Sequence, residues 1–210
     1  MYLVKTPNFI QRFFPNFVWR GPAGDKVLYL TFDDGPIPEV TPWVLEQLEL
    51  YDAKGTFFCV GENVKKNPSV FDAVIGTGHA IGNHTYHHLS GWESENVRYF
   101  DNVHDCAQIV DSHLFRPPYG RLKPKQAAFL QQRYRIIMWD VLSGDFDPKI
   151  SKEQCYNNVI KHAEMGSIIV FHDSLKAQDK LRYVLPKVLE YYSERGYRFE
   201  LLPEVGDVKN

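Results

Sequence analysis

The sequence predicts an α/β fold in a single domain. From Val27 onward, short β-rich runs alternate with helical patterns, and ionisable residues fall at the carboxyl ends of several of those runs. Length agrees, since 210 residues with 44% hydrophobic and 24% charged side chains fit one globular unit with a sizeable core. Alternating strands and helices imply parallel strands joined by crossover helices, either closed into a barrel or left as an open doubly wound sheet. Both arrangements gather functional groups at the carboxyl ends of the strands.

Taken in order, the opening stretch "MYLVKTPNFIQRFFPNFVWR" is aromatic and broken by Pro7 and Pro15. It has no continuous apolar stretch followed by a small-residue cleavage site, so no signal peptide is expected. The candidate strands are "KVLYLTF", "GTFFCV", "HAIGNH", "HLFRPP", "RIIMWDV", "GSIIVFH" and "YRFELL", each bounded by turn-prone residues. Between them, Thr41 is expected to cap a helix with Pro42 at its first position and Gly55 as its stop. Ser151 with Gln154 reads as a capping box, and Gly196 as the stop of the last helix.

A formal charge of −2 offers no general attraction for nucleic acid or an anionic membrane surface. No stretch is apolar for the roughly 18 residues that a spanning helix needs. Cys59, Cys106 and Cys155 are odd in number and lack C-x-x-C spacing, so they read as buried free thiols, which favours a reducing compartment.

The chemistry gathers at strand ends. Asp33 and Asp34 follow "VLYLTF", Asn83 and His84 follow "HAIG", Arg116 follows "HLF", Asp145 lies just past "IIMWDVLS", and His172 ends "SIIVF". His84 and His88 in "NHTYHH" are four residues apart, which on a helical turn puts two imidazoles on one face and suits a divalent metal. Asp34 is the candidate third ligand, leaving a position open for water. A cation beside Asp34 would let the adjacent Asp33 stay ionised and act as a base. Taken singly, the same residues also fit solvated histidines and an Asx-type turn.

In this order "TFDDGP", "HTYHH", "RPPYG", "SGDFD" and "VFHD" resemble the five motifs of the NodB-homology polysaccharide deacetylases, carbohydrate esterase family 4. The resemblance implies a deformed (β/α)7 barrel over residues 27–210. Phe9, Phe13, Phe14, Phe17 and Trp19 make residues 1–26 an aromatic arm expected to pack on that barrel, the alternative being a lipid-facing or partner-facing stripe. The resemblance also implies that Asp34, His84 and His88 hold a metal, Zn²⁺ first, with Co²⁺, Ni²⁺ or Mn²⁺ also acceptable to that donor set. Asp33 matches the catalytic base, Arg116 the residue that pairs with it, and Tyr119 the residue whose backbone amide stabilises an oxyanion. An amide needs its leaving amine protonated, which makes His172 the general acid, and Asp145 matches the carboxylate that orients it.

The expected activity is hydrolysis of acetyl groups from N-acetylated amino sugars of a glycan, peptidoglycan N-acetylglucosamine or a chitin-type oligosaccharide, by a monomer. Alternatives are an O-acetyl xylan esterase and a non-catalytic glycan-binding protein. The lack of a signal peptide favours the cytoplasm, whereas the implied substrates favour the envelope. Three positions depart from the pattern: Phe146 stands where Trp is common, Val170 where Leu is common, and His87 is an additional histidine kept outside the metal set.

Overall fold

Seven consecutive residues, Val27–Asp33, form β1, and all are buried, as befits a parallel strand covered on both faces. The computed structural model describes residues 2–22 and 24–202. A short helix α1 (Asn8–Phe13) precedes β1, and then follow α2 (Thr41–Glu49), β2 (Gly55–Cys59), α3 (Gly61–Lys66), α4 (Pro68–Gly76), β3 (Ala80–Asn83) and α5 (Asn96–Ala107). The second half carries β4 (Leu114–Phe115), a 3₁₀ turn at Pro118–Gly120, α6 (Pro124–Leu130), β5 (Arg135–Ile136), β6 (Val141–Leu142), α7 (Lys152–Ile160), β7 (Ile168–His172), α8 (Gln178–Ser193) and β8 (Arg198–Phe199).

The strands pair in the order β5-β4-β3-β2-β1-β7-β6, and the pairings along it are parallel, with β8 beside the start of β1. Both edges of that path come from one stretch of chain, residues 135–142. Ile137 N–H still donates to Phe115 O at 2.8 Å on the β4 side, whereas Asp140 N–H donates to Ile168 O at 3.0 Å on the β7 side. The sheet therefore curls into a deformed barrel whose seam is crossed by a single segment. "RIIMWDV" is accordingly two short strands and not the one expected. Its apolar run looks continuous because it stays buried while it changes partners.

The N-terminal arm lies along this seam. Val18 N–H donates to Ile136 O at 2.9 Å and Met138 N–H to Val18 O at 2.8 Å, filling the gap between the edges. Trp19 is buried against Phe115, Tyr134, Ile136 and Met138, while Phe9 and Phe13 are exposed. Lys5 and Arg20 both reach Asp140 Oδ2, at 2.7 and 3.2 Å. Asp140 is fully buried, so these two cations offset the cost of its desolvation.

Period-two alternation along β1 sorts its side chains. Leu28, Leu30 and Phe32 join the large cluster beneath α2 and α8, while Tyr29, Thr31 and Asp33 occupy the opposite face. Ser151 caps α7 as expected, accepting from Gln154 N–H at 3.1 Å. Thr41 does not cap α2. It is the first helical residue, Val40 being the cap, and α2 ends at Glu49, well before Gly55, which opens β2. Thr41 Oγ1 instead accepts from Ile37 N–H at 2.8 Å and donates to Asp173 Oδ2 at 2.5 Å.

Candidate active site

Asp33 and Asp34 are adjacent in sequence but serve different neighbours, because the backbone changes region between them. Asp33 is the last residue of β1 and stays in extended geometry, whereas Asp34 has φ 83°, a left-handed conformation that Asp tolerates better than most residues. Asp33 consequently meets Arg116, with Nη1 to Oδ1 at 2.7 Å, while Asp34 turns toward His84 and His88. The turn is held from several sides. Asn63 Nδ2 donates to Asp34 O at 2.7 Å, Val60 N–H to Gly35 O at 3.0 Å, and Gly35 N–H to Asp173 Oδ1 at 3.0 Å. Gly35 approaches Asp173 so closely that a Cβ would overlap its carboxylate, so only glycine fits.

His84 and His88 converge, but not on a helix. Residues 84–90 form an irregular loop in which Thr85 and His88 adopt left-handed φ values of 63° and 54°. Two asparagines shape it. Asn83 Oδ1 accepts from Thr85 N–H at 2.9 Å, and Asn102 Oδ1, on α5, accepts from the N–H groups of Tyr86 and His87 at 3.0 Å each. These bonds replace the intrahelical ladder that the four-residue spacing suggested. His87 is exposed, its Nδ1 2.9 Å from Asn102 Nδ2, and it stays outside the cluster.

Ligand atoms of Asp34, His84 and His88 all lie within 4.8 Å of one another. His84 Nδ1 is 2.7 Å from Arg116 O, an acceptor, so the proton sits on Nδ1 and Nε2 is left as a lone-pair donor. Burial pushes the His84 imidazole down to about 4, keeping it neutral, the form that binds metals. Burial alone would raise the Asp34 carboxyl, but His88, His172 and His84 together hold it below the usual carboxylate range. Asp34 Oδ1 is buried without a hydrogen-bond partner among the described residues. A neutral buried imidazole and an orphaned carboxylate oxygen are what a divalent cation would satisfy, so the donor set fits a metal.

Arg116 is fully buried and spans the barrel mouth. Nη1 donates to Thr31 Oγ1 and to Asp33 Oδ1, both at 2.7 Å, Nε to Ile137 O at 3.2 Å, and Nη2 to Met138 O at 2.9 Å. Its Cζ lies 4.1 Å above the Phe58 ring. The same guanidinium thus pairs Asp33 and ties β4 to the seam, a fixed role suited to a planar cation. After Arg116, the two prolines carry no N–H, and Tyr119 supplies the next amide of the chain at φ 60°, an uncommon conformation for so bulky a residue. Its ring rests against His88, 4.8 Å between centroids.

The β1–β7 register sets Asp33 beside His172. Asp145 is fully buried and devotes both oxygens to that histidine, Oδ1 to Nδ1 at 2.8 Å and Oδ2 to the backbone N–H at 2.7 Å. Burial would lower the His172 imidazolium, but Asp145 above all, then Asp34 and Asp33, push it up to about 9. Phe146 packs edge-on to the ring at 5.0 Å. Val170 is buried within the barrel wall, so it presents no surface to a ligand.

A family model described as polysaccharide deacetylase matches residues 20–134. The chain is also 33% identical over 199 residues to a peptidoglycan-N-acetylglucosamine deacetylase of Bacillus cereus (strain ATCC 14579), an alignment covering 89% of this chain and 91% of that protein. The chain belongs to the polysaccharide deacetylase family. Within this NodB-homology family, carbohydrate esterase family 4, it is also 33% identical over 201 residues to a chitooligosaccharide deacetylase of Azorhizobium caulinodans (strain ORS 571), covering 84% and 92% of the two chains. A solved peptidoglycan N-acetylglucosamine deacetylase superposes with a TM-score of 0.86 at 30% identity, covering 94% of this chain and 95% of that one. The deformed barrel is therefore the fold of this polysaccharide deacetylase family member. Asp145 and His172 lie beyond the segment that the family model matches, and the barrel itself brings them to Asp33.

Sequence reasoning missed Asp173, the residue after His172. It is buried, and Gly35 N–H and Thr41 Oγ1 both donate to it. Burial pushes its carboxyl up to about 8. The signal was an acidic residue directly after an apolar strand and facing a Gly-Pro turn. Asn102 left no comparable signal, being one polar residue among several on α5.

Proposed function

We propose that this protein is a metal-dependent hydrolase that removes acetyl groups from N-acetylated amino sugars of a polysaccharide, peptidoglycan N-acetylglucosamine or a chitin-type glycan. The observation that carries the reading is the convergence of three units at the carboxyl ends of β1, β3, β4 and β7: the Asp34–His84–His88 donor set, the Asp33–Arg116 pair, and the Asp145–His172 pair. A divalent cation, Zn²⁺ first, would be held by Asp34 Oδ1, His88 and His84 Nε2, and when bound it supplies Lewis-acid polarisation of a carbonyl and acidifies water.

The chain's own groups do the rest. Asp33 accepts the proton of the attacking water, and Arg116 Nη1, 2.7 Å from its Oδ1, holds the carboxylate aimed. The Tyr119 N–H donates to the oxygen that gains charge in the tetrahedral transition state. His172 enters the cycle protonated, with Asp145 fixing its Nδ1–H, so Nε2–H delivers a proton to the departing amine as the C–N bond breaks and acetate leaves.

The test compares the protein with its Asp33→Asn variant. Acetate release from N-acetylglucosamine oligomers should fall by about 10²–10⁴-fold, the usual worth of a general base, with oligomer affinity retained. Equal turnover by both proteins would remove Asp33 from the chemistry. Affinity without turnover in either protein would leave a glycan-binding protein.

A further inference from the structure

Five large aromatic side chains among the described residues stay more than half exposed, and two of them line up with the candidate metal set: Trp92, 59% exposed, and Tyr119, 61% exposed. From His88 the row runs outward through the Tyr119 ring at 4.8 Å. The Arg121 Cζ lies 5.8 Å from the Tyr119 ring and 5.2 Å from the Trp92 ring. Neither outer member is loose. Trp92 Nε1–H donates to Leu122 O at 3.1 Å, and Arg121 Nη1 pairs with Glu93 Oε1 at 3.2 Å.

We propose that Trp92, with Arg121 beside it, forms an outer saccharide subsite that would favour a longer glycan chain over a short one. The proposal rests on the reading of the site as one acting on an acetylated glycan. An indole whose N–H is already satisfied and whose ring is pinned loses little entropy when a ligand covers it. The C–H face of a pyranose covers such a ring, removing apolar surface from water. Arg121 brings five N–H donors in a planar fork, and the Glu93 contact uses one Nη, so sugar hydroxyls can take others. A polar-tipped row of Tyr, Arg and Trp, continuous with the catalytic mouth, matches a linear saccharide.

The test measures kcat/KM for acetate release from the disaccharide and the pentasaccharide of N-acetylglucosamine by Zn²⁺-loaded protein. In parallel, titration calorimetry follows binding of the pentasaccharide. Trp92→Ala should lose about tenfold on the pentasaccharide, mostly in KM, and less than about twofold on the disaccharide, the size of one well-packed aromatic contact. Trp92→Tyr should recover most of the loss. Phe129→Ala, which removes an exposed aromatic outside the row, should change neither.

Equal losses on both substrates, or none on either, would overturn the subsite while leaving the hydrolase reading intact. Pentasaccharide binding that depends on Trp92, without turnover by the parent protein, would support the subsite and overturn the hydrolase reading. Absence of both binding and turnover would overturn both.

Discussion

Asp145→Asn isolates the role of one buried carboxylate. The variant keeps the volume of the side chain and an oxygen able to accept from His172, but removes the charge that does most to raise the imidazolium. With Asp145 in place, His172 sits at about 9 against an ordinary 6.5, a difference of about 3 kcal/mol in favour of the protonated ring. Without that charge, Asp34 and Asp33 are left to offset burial, and the ring falls toward its ordinary value.

At pH 8 the protonated fraction then drops from about nine-tenths toward the roughly three hundredths of an ordinary imidazole, so kcat should fall by up to about thirtyfold from ionisation alone. At pH 6 the two proteins differ little in protonation. Because the protonated form is the active one, activity is lost as pH rises, and the alkaline limb of the kcat profile should move to lower pH in the variant. Stability carries the same sign. The contribution from His172 is fully present below about 6.5 and is lost as pH rises through about 9, so the parent should outlast the variant more at pH 6 than at pH 9.5. An alkaline limb in the same place in both proteins, or a uniform loss of kcat at every pH, would refute the assignment.

Gly35→Ala places a Cβ against the Asp173 carboxylate and should cost about 1–3 kcal/mol, the range for an overpacked site. Thermal unfolding should show this as a Tm lower by about 2–4 °C per kcal/mol, accompanied by weaker Zn²⁺ binding in a competition titration. Asp173 has a carboxyl raised to about 8, so the folded state holds its proton where the unfolded state has released it, and stability falls as pH rises from about 4 to about 8. In the metal-free protein, Asp173→Asn should therefore raise Tm relative to the parent at pH 8 and have little effect at pH 4. A gain of the same size at both values would remove Asp173 as the cause.

What the sequence made legible follows strand ends closely. Asp33, Arg116, Asp145 and His172 sit where short apolar runs stop, and β-rich runs stop where a barrel strand reaches its mouth, so position alone brings them together. Local conformation was harder to read. The four-residue interval between His84 and His88 suits a helix, yet Asn83 and Asn102 divert the backbone into left-handed turns, an effect of contacts distant in sequence. "RIIMWDV" reads as one strand because burial is continuous along it, although its hydrogen-bond partners change at Ile137–Asp140. Thr41 looks like a cap by residue type, but a buried acceptor 132 positions away claims its hydroxyl. In each case the residue type was informative and the partner was not.

The most direct measurement is acetate release by protein stripped of metal and then reloaded with Zn²⁺ or Co²⁺, using N-acetylglucosamine oligomers, peptidoglycan and acetylated xylan in parallel. Release from an amide substrate should vanish on stripping and return on reloading, and a His84→Ala, His88→Ala double variant should not recover. Release from xylan alone would make the protein an esterase. Amide hydrolysis that survives complete metal removal would contradict a metal-holding role for Asp34, His84 and His88.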